Sequence, residues 1–99
     1  MNIKNILKDL NISEVGIYEG DSYIIELDSS DNWGKLDSKL DAGWSKGILD
    51  FIDSESSVEE EGAVTTYEYT NSSERAKLIL MADFDEDVYT LSIEPLEVD

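Results

Sequence analysis

Four strand-like runs, residues 44–53, 63–70, 75–83 and 87–94, fill the second half of the chain and are joined by SESSVEEEG, NSSE and FDED. They are rich in Thr, Tyr, Ile and Val, the residues that suit a pleated, half-buried surface. A parallel crossover takes roughly a dozen residues or more, so connections this short lead each strand to pair antiparallel with the next. The expected unit is a four-stranded meander, with residues 54–62 as its one long polar loop.

The first half supplies helices and a hairpin. Ile3, Ile6, Leu7 and Leu10 fall at i, i+3, i+4 and i+7, which predicts a short amphipathic helix over 2–10 capped by Asn2. Val15, Ile17 and the run Tyr23, Ile24, Ile25, Leu27 flank Gly20-Asp21-Ser22 and predict strands over 14–19 and 22–28. Ser29, Ser30 and Asp31 are N-cap residues, and Trp33, Leu36 and Leu40 continue at helical spacing to Gly43. They predict a second helix over 31–42, with Gly43 as C-cap and Trp33 and Trp44 anchoring the helix to the sheet. The fold class is therefore α+β: two short helices packed on a largely antiparallel sheet, in the order α-β-β-α-β-β-β-β. Length bounds this to one domain, 1–99, with Pro95 ending the last strand and 96–99 frayed.

Charge separates this chain from an ordinary domain. Its charged fraction is 31%, but 24 acids stand against seven bases, for a formal net charge of −17. Residues 1–46 hold nine acids and five Lys, whereas 47–99 hold 15 acids and two bases. If the second half folds as one layer, it concentrates a negative field on one side. Such a chain is repelled by nucleic-acid phosphates and by anionic lipid, so neither is an expected partner. Cysteine is absent and Met1–Leu10 lacks the apolar run of a secretory leader, which makes a cytoplasmic location the expectation.

The residues for common chemistries are missing. With no His and no Cys, the usual general base, metal ligand and thiolate nucleophile are unavailable, and none of the six Lys sits in a Ser-x-x-Lys motif. No enzymatic activity and no cofactor are expected. Asp83, Asp85, Asp87 and Glu94 match positions 1, 3, 5 and 12 of an EF-hand loop, but position 6, where the sharp turn demands Gly, is Val88. Val88–Ile93 alternates as a strand, so an acidic hairpin turn is the expected structure, with at most weak Ca²⁺ binding. Tyr67 and Tyr69 share one face of a strand and Glu68 takes the other, leaving open which face meets solvent.

What remains is a carboxylate array. The expected partner-binding residues are Asp50, Asp53, Glu55, Glu59, Glu60, Glu61, Glu68, Glu74, Asp83, Asp85, Glu86 and Asp87, with further acids at Glu19, Asp21, Glu26, Asp28 and Glu94. Same-face residues on a strand are about 6.8 Å apart, comparable to the spacing of charge along a nucleic-acid backbone. In size, acidity and its "MNIKNIL" start the chain resembles small phage-encoded inhibitors that mimic DNA, anti-CRISPR proteins in particular, and also inhibitors of restriction enzymes or uracil-DNA glycosylase. That resemblance implies a basic nucleic-acid-binding protein as partner, a host nuclease or CRISPR-Cas effector. Two other readings stay open: an immunity or antitoxin protein capping a basic nuclease toxin, and an acidic domain with no specific partner.

Overall fold

The computed structural model describes residues 1–59 and 62–96, with backbone alone for 53–59, 62 and 63. Its elements are α1 (Ile3–Asp9), β1 (Ile17–Glu19), β2 (Ser22–Leu27), α2 (Ser30–Ser45), β3 (Asp50–Glu59), β4 (Gly62–Asn71), β5 (Ala76–Asp83) and β6 (Val88–Pro95). The strands form one sheet in the order β1-β2-β6-β5-β4-β3, and every pairing is antiparallel. The α+β class and the element order are as the sequence predicts.

Alternation decides which face is covered. On β5, Ala76, Leu78, Leu80 and Ala82 are buried while Lys77, Ile79, Met81 and Asp83 are only partly so. The buried set continues through Tyr69 on β4, Leu91 and Ile93 on β6, and Tyr23 and Ile25 on β2. Ile3, Ile6 and Leu10 of α1 and its exit, with Leu36 and Leu40 of α2, join the same core, so both helices lie on one side of the sheet.

Local chemistry sets the helix ends. Asn2 Oδ1 accepts the Asn5 N–H at 3.2 Å, and Ser29 Oγ accepts the Asn32 N–H at 3.2 Å, each capping its helix. The second helix runs past the expected end: Gly43 lies inside α2, Trp44 and Ser45 are helical, and the next strand starts at Asp50 rather than at 44. Gly47, at φ +79°, supplies the left-handed residue that stops α2. Gly43 serves packing instead, because a Cβ there would lie 2.5 Å from Leu10 Cδ2.

The other departure is segment 54–62, expected as a loop. Its backbone pairs from Asp53 opposite Glu68 to Glu59 opposite Gly62, so β3 and β4 form a long hairpin. Its Ser and Glu residues are poor strand formers, and it is the edge of the already paired β4 that recruits them. Residues 60 and 61, and the expected frayed tail at 97–99, lie outside the described residues. Leu96 is held: its N–H donates to the Arg75 carbonyl at 2.8 Å.

Candidate functional site

Antiparallel order brings three connections to one end of the sheet. Leu27 pairs with Tyr89, Val88 with Asp83, Asp83 with Val64, and Glu59 with Gly62, so the ends of β2, β5 and β3 and the starts of β6 and β4 meet there. This end carries Asp28 and Asp31 at the entry to α2, Asp83, Asp85, Glu86 and Asp87 at the β5–β6 turn, and Glu59 at the tip of β3. The β2–α2 and β5–β6 connections contain no Lys or Arg. At about 4.8 Å per strand, the four steps from β2 to β3 make this acidic pole roughly 19 Å wide.

The β5–β6 turn owes its shape to its first acid. Asp83 Oδ1 accepts the N–H groups of Asp85 at 3.2 Å and Glu86 at 3.1 Å, and Asp87 takes a positive φ of 52°. The side chains of Asp85 and Glu86 are left exposed at the tip, and Asp87 Oδ1 accepts the Tyr89 hydroxyl at 3.3 Å. The EF-hand pattern does not close. Glu94 lies six residues along β6 from Val88, about 20 Å from the turn at strand rise, and pairs opposite Lys77. Among the described residues no set of three or more acids is placed to hold a metal ion.

The remaining predicted partner-binding residues divide into two groups. Asp50, Asp53 and Glu55 stand along β3, at register positions opposite Thr70, Glu68 and Thr66. An irregularity between Phe51 and Asp53, with Ile52 as the extra residue, lets Asp53 follow Asp50 at this two-residue register step despite a sequence spacing of three. Glu68 is partly neutralised by Lys77, 3.6 Å away, the one ion pair among the described residues. Glu74 belongs to the fold: its carboxylate accepts the Asn2 N–H at 2.9 Å and the Asn5 amide at 3.5 Å, placing negative charge at the start of α1. Glu60 and Glu61 lie outside the described residues. The sheet side away from the helices is not a uniform carboxylate lattice, since its centre is Ile79, Met81, Thr66, Thr90 and Ser92.

A second site went unrecognised in the sequence. A hollow of about 460 Å³ is lined by Asp37, Ser38, Asp41 and Trp44 of α2, Phe51 of β3, and Tyr67 and Tyr69 of β4. Trp44 is 53% and Phe51 43% exposed, so neither is a core anchor; of the two Trp, only Trp33 packs against the core, tilted against Tyr67 at 6.2 Å and edge-on to Phe84 at 5.8 Å. The Tyr67–Tyr69 face turns toward the helices, and Tyr69 packs edge-on to Phe51 at 5.4 Å. Burial pushes the Tyr69 phenol up to about 12, helped by the negative charges of Asp37 and Asp41 and by Tyr67. Asp37 is also raised, by burial first and by Asp41 second. The signal was present at Asp37, Asp41 and Trp44, one helix face at i, i+4 and i+7, but it required α2 to extend through residue 44.

The fold and these sites define an α+β protein with an acidic pole at one end of its sheet and an aromatic hollow beside its second helix. No protein-family model matches the chain, and no curated protein or solved structure matches it. No described helix is long and apolar enough to cross a membrane.

Proposed function

We propose that the protein is an acidic inhibitor that occupies the cationic nucleic-acid-binding surface of a nuclease or CRISPR-Cas effector and thereby blocks it. The acidic pole carries this reading: three chain connections place Asp28, Asp31, Asp83, Asp85, Glu86, Asp87 and Glu59 at one end of the sheet. Its width of about 19 Å spans roughly five to six nucleotide rises of 3.4 Å, enough to displace a stretch of backbone from a basic groove. Charge of one sign also steers encounter with such a groove, so affinity and on-rate both fall as salt rises.

The test is competition. The protein is immobilised at low salt against bacterial lysate, retained nucleic-acid-binding enzymes are identified, and each is assayed for DNA or guide-RNA binding in the presence of the protein. Support is stoichiometric loss of nucleic-acid binding that weakens at least tenfold when Asp85, Glu86 and Asp87 are changed together to Asn, Gln and Asn. If the triple variant competes as well as the parent, the acidic pole is not the binding surface. If every retained enzyme still binds its nucleic acid, inhibition by mimicry is excluded.

A further inference from the structure

The hollow between α2 and the β3–β4 hairpin combines two kinds of wall. Its walls are aromatic, from Trp44, Phe51, Tyr67 and Tyr69, and its α2 side carries Asp37 and Asp41. At about 100° per residue, Asp37, Asp41 and Trp44 fall within roughly 60° of one another around α2, while Lys35, Lys39 and Lys46 lie roughly 160–200° from Asp37. Lys39 and Lys46 instead line a separate depression with Leu10 and Gly43. The helix thus segregates its charges, and among the described residues no base lines the aromatic hollow. Among the described residues neither Asp37 nor Asp41 makes an ion pair.

We propose that this hollow receives the guanidinium of an arginine side chain presented by a protein partner. A guanidinium is planar, stacks on aromatic faces and offers a fork of N–H donors to carboxylates, so it answers both kinds of wall. Asp37 and Asp41, one helical turn apart, stand at about 6 Å, within reach of opposite edges of one such group. A neutral apolar ligand would leave the two carboxylates close together and still unneutralised. Burial first and the charge of Asp41 second raise the Asp37 carboxyl, and the repulsion from Asp41 is relieved when a cation enters. The site lies on the helix side of the sheet, so it stands apart from the acidic pole and does not depend on the inhibitor reading.

The probe is a capped Gly-Arg-Gly peptide titrated into the whole protein, with the Trp44 indole and Tyr69 ring followed by NMR. Gly-Lys-Gly and Gly-citrulline-Gly peptides serve as comparisons. The expected result is saturable binding of the arginine peptide in the millimolar range, with the citrulline peptide at least ~10-fold weaker and the lysine peptide ~3-fold weaker or more. Asp37→Asn with Asp41→Asn should weaken arginine binding ~10-fold, and Trp44→Ala ~5-fold, while Lys39→Ala leaves it unchanged. These positions are at the surface or partly so, and an unchanged circular dichroism spectrum establishes that each variant is folded. The proposal is overturned if the arginine peptide gives no saturable shift, if citrulline or lysine binds equally well, or if the double Asn variant binds as the parent does. None of these outcomes bears on the competition assay of the acidic pole.

Discussion

Two glycines on α2 show how differently one residue type is used. At Gly43 an added Cβ meets Leu10 Cδ2 at 2.5 Å and Leu49 Cδ1 at 3.2 Å, both on buried side chains with little room to yield. Gly43→Ala is expected to destabilise by about 1–2 kcal/mol, the overpacking cost exceeding the helix-propensity gain. Gly34 meets nothing within 4 Å, so Gly34→Ala should stabilise by about 0.5–1 kcal/mol. Urea unfolding of the two variants checks both signs. Tyr69 gives a pH signature. Its folded-state phenol titrates near 12 against an ordinary 10, so above pH 10 the unfolded chain loses a proton that the folded chain keeps. Stability from this group is complete below pH 10 and falls as pH rises toward 12, and Tyr69→Phe should flatten that fall in alkaline unfolding curves. The sequence placed Tyr67 and Tyr69 together on one face, but not which face. That choice depends on the pairing of Tyr69 with Leu78 and of Tyr67 with Leu80, both contacts distant in sequence.

The second helix shows what element patterns can and cannot reveal. Its start was legible because capping is local: Ser29 meets an N–H only three residues away. Ser29→Ala should cost about 1 kcal/mol, read as a lower urea midpoint with an unchanged slope. Its end was not legible, because two glycines compete for the role and only the close approach of Leu10 and Leu49 to Gly43 separates them. Five strands, the first helix and the antiparallel pairing of consecutive strands followed directly from periodicity and connection length. Strand β3 did not, since SESSVE lacks strand character and is drawn into the sheet by its partner. The same two misplacements hid the aromatic hollow, whose walls come from the last turns of α2 and the start of β3. The acidic turn at FDED was legible as a hairpin, yet its grouping with Asp28 and Asp31 required the β2–β6 pairing.

At the scale of the whole molecule, a chain with a formal net charge of −17 folds to a radius of gyration of 13.1 Å. Self-repulsion of this size opposes compaction and is screened by salt over a Debye length of about 10 Å at 0.1 M. Raising NaCl from 10 mM to 0.5 M should therefore raise Tm by several degrees, as followed by circular dichroism; a flat or falling Tm would mean that the carboxylates are too dispersed to strain the fold. The sheet's two ends differ in the same way: β1 is a three-residue edge, whereas β3 is a ten-residue edge. Long edges invite a stranger's strand to add on, and charge is a standard guard against that. The sequence of β3 carries Asp50, Asp53, Glu55 and Glu59 and no Lys or Arg. A second copy pairing antiparallel along this edge would bring the same run of acids against its own counterpart, so the composition of β3 works against self-addition at the longest edge of the sheet.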